Sequence, residues 1–107
     1  MSNRCIEHIA FTIKPECLDE FTSIKAQVAA EAHDLPGLLA STTQRSLAQP
    51  NQFVDTMIWE DADAAAAGNK AFEKLPTTPR FLAMMAGPPQ FAGRFTWSAG
   101  DDALPLV

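Results

Sequence analysis

The chain has no tyrosine, two cysteines, two histidines and only eight basic residues in 107. Two cysteines cannot make a disulfide scaffold, and no CxxC or Cys/His zinc spacing occurs. A bridge between Cys5, on an expected strand, and Cys17, in the first turn of the next helix, is compatible with the sequence. The N-terminal stretch shows no long apolar leader segment, so both are expected as thiols in the cytoplasm. The eight Lys and Arg are scattered and the net charge is −5, which excludes a phosphate backbone as partner, because binding one needs clustered cations. No apolar run approaches the ~18 residues that span a bilayer. There is no glycine-rich phosphate loop, and no Ser/His/Asp or Cys/His constellation is readable. His8 and His33 fall on different expected elements without further ligands, so neither a metal nor a cofactor is expected.

Apolar residues make up 47% and charged residues 20%, ordinary globular values, and the length suits one domain over 1–107. From Cys5 to Ile13 the residues alternate, with Cys5, Glu7, Ile9, Phe11 and Ile13 on one face and Ile6, His8, Ala10 and Thr12 on the other. Pro15 suits the first position of a helix, where its missing N–H costs nothing. Leu18, Phe21, Ile24, Val28, Ala32 and Leu35 then recur at spacings of three and four, giving one buried stripe that Pro36-Gly37 ends.

Residues 38–47 read as a polar strand and 48–51 as a turn. In the strand at 53–60, Phe53, Asp55, Met57 and Trp59 share a face. Asp61 is placed to cap a helix from Ala62 to Leu75, whose Ala64–Ala67 run is small enough either to leave room for a ligand or to let the helix sit close. A short helical segment is expected at Arg80–Ala86 and a last strand at Gln90–Ser98, with a tail at 99–107.

The order β-α-β-β-α-β predicts an α+β, ferredoxin-like fold: a four-stranded antiparallel sheet with two helices on one face. By apolar content the helix side should carry Ile9, Phe11, Ile13, Phe53, Met57, Trp59, Phe91, Phe95 and Trp97. The other face, with Ile6, Ala10, Val54, Thr56 and Ile58, is too apolar for water. A homodimer through that sheet face is expected.

At PGLLASTTQRSLAQPNQFVDTMIWEDADAAA the chain resembles the antibiotic-biosynthesis-monooxygenase-like proteins, a branch of the dimeric α/β barrels. The matching residues are Lys14-Pro15, Pro36-Gly37, Arg45, Phe53, Trp59-Glu60-Asp61 and Phe81, and the resemblance spans residues 5–98. Relatives include cofactor-independent quinone-forming monooxygenases, haem-degrading enzymes and members without known activity. Haem degradation is the branch least supported: Gly68 and Asn69 stand where those relatives carry a histidine ligand, and Ile9 where they carry a polar amide.

Asp55 is the first candidate catalytic residue, since a carboxylate under the helices beside apolar groups can serve as a general base. The bland alternative puts it near a strand end, solvated or bonded to a backbone amide. Glu7, with the same parity on the neighbouring strand, would share a proton with Asp55 if the register set them side by side, or else lie in water at the strand start. Trp59, Met57, Phe72 and Phe81 are candidates for binding a small apolar or aromatic molecule, and equally candidates for core. Two functions follow: a monooxygenase-like enzyme acting without a metal on a small aromatic or polyketide-like molecule, or a non-catalytic dimeric barrel that binds an apolar ligand or only assembles.

Overall fold

A computed structural model describes residues 3–100; the expected tail from 101 onward lies outside the described residues. Strand β1 (Cys5–Thr12) leads through a single 3-10 turn (Pro15–Cys17) into helix α1 (Leu18–Ala32). Then come β2 (Leu38–Arg45), β3 (Gln52–Trp59), α2 (Ala62–Phe72), the short α3 (Thr78–Ala83) and β4 (Phe91–Phe95). The strands pair antiparallel in the order β2-β3-β1-β4, so β1 and β3 are the central neighbours and the sheet is open at its edges.

Local chemistry accounts for the ends of these elements. Gly37 takes φ 81°, the left-handed conformation that turns the chain out of α1, and its carbonyl accepts the Glu60 N–H at 2.7 Å. Asp61 caps α2 as expected, Oδ1 accepting the Ala64 N–H at 2.7 Å. Helix α2 stops at Phe72, short of the expected Leu75, and α3 begins at Thr78 rather than Arg80. The junction is held from α1: the Glu31 carboxylate accepts the Thr77 N–H at 2.9 Å and the Thr77 hydroxyl at 2.5 Å.

The core lies between the sheet and the helices. Phe11, Ile13, Phe21, Ile24, Val28, Phe53, Phe81 and Met84 form its main cluster, and Cys5, Trp59 and Ala65 a second one. Phe21 and Phe53 sit 4.4 Å apart by ring centroid, and Phe11 meets Phe81 edge to face at 5.6 Å. The stripe read along α1 is the face that is buried.

One face assignment is overturned. The pairing of β4 with β1 sets Phe95 opposite Ile6, Gly93 opposite His8 and Phe91 opposite Ala10. Directly opposed residues share a face, so Phe91 and Phe95 lie on the side away from the helices, and Trp97 lies beyond the strand. Apolar content misled because on this short edge strand the helix side is occupied by Ala92 and by Arg94, whose Nε lies 3.4 Å from Glu7 Oε2. Phe91 and Phe95 stack over Gly93 with centroids 5.9 Å apart, and both remain about half exposed. Beside them His8 Nδ1 is 3.1 Å from the Thr56 hydroxyl.

Candidate functional site

Between the helix side of the sheet and α1 lies a cavity of about 610 Å3, within the size range of small-molecule sites. Its walls are chiefly apolar: Ile9, Phe11, Phe53, Met57 and Trp59 from the central strands, and Phe72, Phe81 and Met85 from the far end. Room comes from α1, which presents Ala26, Ala29 and Ala32 to the cavity. The Ala64–Ala67 run lines none of it; Ala65 is fully buried against Cys5 and Trp59.

Two carboxylates are set in this apolar surface. Asp55 is 7% exposed and Glu7 5%, so neither is in bulk water. Asp55 is not bare: Lys25 Nζ lies 2.6 Å from Oδ2, and the Thr43 hydroxyl donates to Oδ1 at 2.6 Å. Burying a lone charge is so costly that a partner is nearly obligatory. Lys25 supplies it from the buried stripe of α1, four residues after Phe21 and three before Val28. Thr43 supplies the second bond as the direct cross-strand partner of Asp55 on β2.

Glu7 is also saturated. Its Oε1 accepts the Trp59 indole N–H at 3.0 Å, Asn69 Nδ2 lies 3.1 Å from both oxygens, and Arg94 reaches Oε2. Asn69 Nδ2 also donates to the Ala65 carbonyl at 2.8 Å, which fixes the amide relative to α2. The register sets Glu7 opposite Met57 and Ile9 opposite Asp55. The carboxylates are therefore diagonal neighbours, roughly 7–8 Å apart at the backbone. Each has its own donors, and they do not form a proton-sharing pair.

Lys25, Thr43 and Asn69 are the polar residues of this site that sequence reasoning missed. For Lys25 and Asn69 a signal existed: each falls on an inward helical position, Asn69 one turn after buried Ala65. Trp59, Met57, Phe72 and Phe81 all line the cavity; Trp59 does so while 3% exposed, its indole packed against Gly68. Among the described residues no three His, Cys, Asp or Glu side chains converge in a metal-binding group, and no helix is long and apolar enough to cross a membrane.

A four-stranded antiparallel sheet in the order β2-β3-β1-β4 with its helices on one face defines the class of the α+β ferredoxin-like proteins. Within that class the chain belongs to the antibiotic biosynthesis monooxygenase family, whose model matches residues 5–85. The fold is similar to that of SnoaB, a cofactor-independent oxygenase from Streptomyces nogalater, at 24% identity and TM-score 0.77, over 92% of this chain and 97% of that one. MupZ from Pseudomonas fluorescens is 14% identical with TM-score 0.74, over 88% of this chain and 68% of that one. A conserved protein from Methanosarcina mazei Go1 is also 14% identical with TM-score 0.74, over 86% and 90% of the two chains. These likenesses concern the fold. No curated protein matches the chain.

Proposed function

We propose that the chain is a monooxygenase-like enzyme that needs no cofactor and acts on a small, flat, mostly apolar molecule bearing an acidic C–H or O–H. The observation that carries this reading is the Asp55–Lys25 pair standing in the wall of an otherwise apolar, ligand-sized cavity. In this reading the Asp55 carboxylate takes a proton from the substrate, and the resulting anion, which carries carbanion character by resonance, is held against Phe72, Phe81 and the Trp59 wall. The anion adds O2 at carbon, the peroxide recovers the proton from Asp55, and water leaves. A methylene thus becomes a carbonyl, with one oxygen atom in the product and the other in water. Family membership and the SnoaB-like fold support the choice of reaction.

The functional unit in this reading is a homodimer joined through the outer sheet face, where half-exposed Phe91 and Phe95 adjoin Ile6, His8 and Ile58. The second reading is a non-catalytic barrel that only binds its ligand. It is favoured by one observation: among the described residues every buried side-chain polar atom has a hydrogen-bond partner, as in a site built for stability.

Oxygen uptake with a panel of small, flat aromatic molecules bearing an acidic methylene separates the two. The enzyme reading expects one O2 consumed per carbonyl formed, no hydrogen peroxide, and a loss of at least a hundredfold in kcat for Asp55→Asn. Ligand binding without oxygen uptake across such a panel would leave the second reading standing.

A further inference from the structure

Lys25 lines the cavity with hydrogen-bonding capacity beyond its one partner. Its side chain is 15% exposed and its ammonium lies over the Phe81 ring, 4.7 Å from the centroid. Among the described residues Asp55 Oδ2 is its one hydrogen-bond acceptor. An ammonium has three N–H donors, so two are left toward aromatic carbon and the cavity that Lys25 lines. Asp55 is differently placed: Thr43 holds Oδ1, and only Oδ2 depends on Lys25.

We infer that this pair is an exchange site for acidic phenols and enols, with Lys25 as the residue that receives the ligand's oxygen. On binding, the ligand O–H breaks and its proton forms a new O–H at Asp55 Oδ2. The electron pair stays on the ligand oxygen, which takes the place of Oδ2 at Lys25 Nζ. The pair begins as Lys⁺ with Asp⁻ and ends as Lys⁺ with ligand O⁻ beside a neutral Asp55. No net charge enters the cavity, so the step avoids the cost of burying an uncompensated ion. Thr43 keeps Oδ1 throughout, which directs the proton to Oδ2.

The exchange makes the site selective in both directions. A methyl ether of the same ring has no proton to give and cannot displace Asp55 from Lys25. An arene carboxylate arrives already ionised and leaves Asp55 a buried anion without its partner. The inference rests on the reading of this cavity as the substrate site and of Asp55 as its base, and it names the substrate class.

The test uses 4-nitrophenol, whose anion is yellow and whose neutral form is not, against 4-nitroanisole and 4-nitrobenzoate, with the full chain. Bound to the wild type, the phenol is expected as the yellow anion at a pH at least one unit below that needed in free solution, a tenfold shift in its ionisation. Affinity should exceed that for either comparator at least tenfold. Lys25→Arg should keep the bound colour. The double variant Lys25→Met with Asp55→Asn removes both charges, so it leaves no buried ion to compromise folding, and should bind the phenol colourless. A colourless phenol in the wild type, or equal colour in the double variant, overturns the exchange while leaving the cavity as a ligand site. Binding of neither the phenol nor its methyl ether overturns both. Yellow binding without oxygen uptake on the methylene-bearing panel upholds the exchange and removes only the oxygenase reading.

Discussion

The six-membered ring of Trp59 occupies the space in which any residue other than glycine at position 68 would place its Cβ. Gly68 lies in the interior of α2, where alanine is intrinsically better by up to about 1 kcal/mol. The contact decides the sign: a Cβ would overlap the ring, and overpacking of this kind costs about 1–3 kcal/mol. Gly68→Ala is therefore expected to lower the urea midpoint with an unchanged m-value. A variant as stable as the wild type would show that the indole moves freely, and that its fixed place in the cavity wall is not enforced by α2.

Glu7→Gln tests the other anchor of Trp59. Glutamine offers one acceptor oxygen where the carboxylate serves the Trp59 N–H, Asn69 and Arg94, and its NH2 must face one of those donors. A loss of about 1–3 kcal/mol is expected, with Trp59 emission shifted to the red in a Trp97→Phe background. Unchanged stability and emission would mean that the buried network does not hold the indole.

Asp55→Asn tests the pair with Lys25. If Asp55 were a buried charge without a partner, removing it would leave stability unchanged or raised. The observed partner reverses this, because the asparagine leaves the Lys25 ammonium buried beside Phe81 without its anion. Breaking a buried pair costs up to about 3–5 kcal/mol, and the long Lys25 stem can move toward water and reduce that. A melting temperature lowered by several degrees is expected, and a raised one would show that the pair does not contribute.

Cys5 and Cys17 should differ as nucleophiles. Burial pushes the Cys5 thiol above its ordinary 9.0, with Glu7 and Asp61 adding to this and Arg94 opposing it. Cys17, half-buried at the helix start, should react first with a disulfide reagent at pH 8, and Cys5 only as the chain unfolds. The linkage has a definite sign. Below pH 9.0 the thiol is protonated in both states and its contribution is constant. Above it the unfolded chain loses the proton first, so this contribution to stability falls as pH rises, by at most about 1.4 kcal/mol per pH unit. Simultaneous labelling of both thiols in the folded protein would contradict this.

Phe95→Glu tests the proposed pairing of the outer sheet face. Wild type is expected near twice 11.6 kDa by light scattering at low micromolar concentration, and the variant near 11.6 kDa. A wild-type monomer would remove the dimer from the functional reading.

The alternation in β1 and β3, the three-and-four spacing along α1, Gly37 and the Asp61 cap are local facts of the chain. They were sufficient for the element order and the buried side of both strands, whereas the family was read from the resemblance carried by Lys14-Pro15, Pro36-Gly37 and Trp59-Glu60-Asp61. The alternation also placed Asp55, Glu7 and Trp59 on one inward face, because side-chain parity along a strand needs no knowledge of the neighbours. What each of those residues touches is another matter. Lys25 and Asp55 are 30 residues apart, Asn69 and Glu7 62, and only the packing of α1 and α2 on the sheet brings them within bonding distance. The side on which Phe91 and Phe95 lie was set by the register of β4 against β1, a two-fold choice that apolar content cannot resolve when both faces of the sheet are to be covered. Residue type and spacing thus determined which groups point inward; tertiary packing decided that both carboxylates are paired and that the small residues opening the cavity are those of α1.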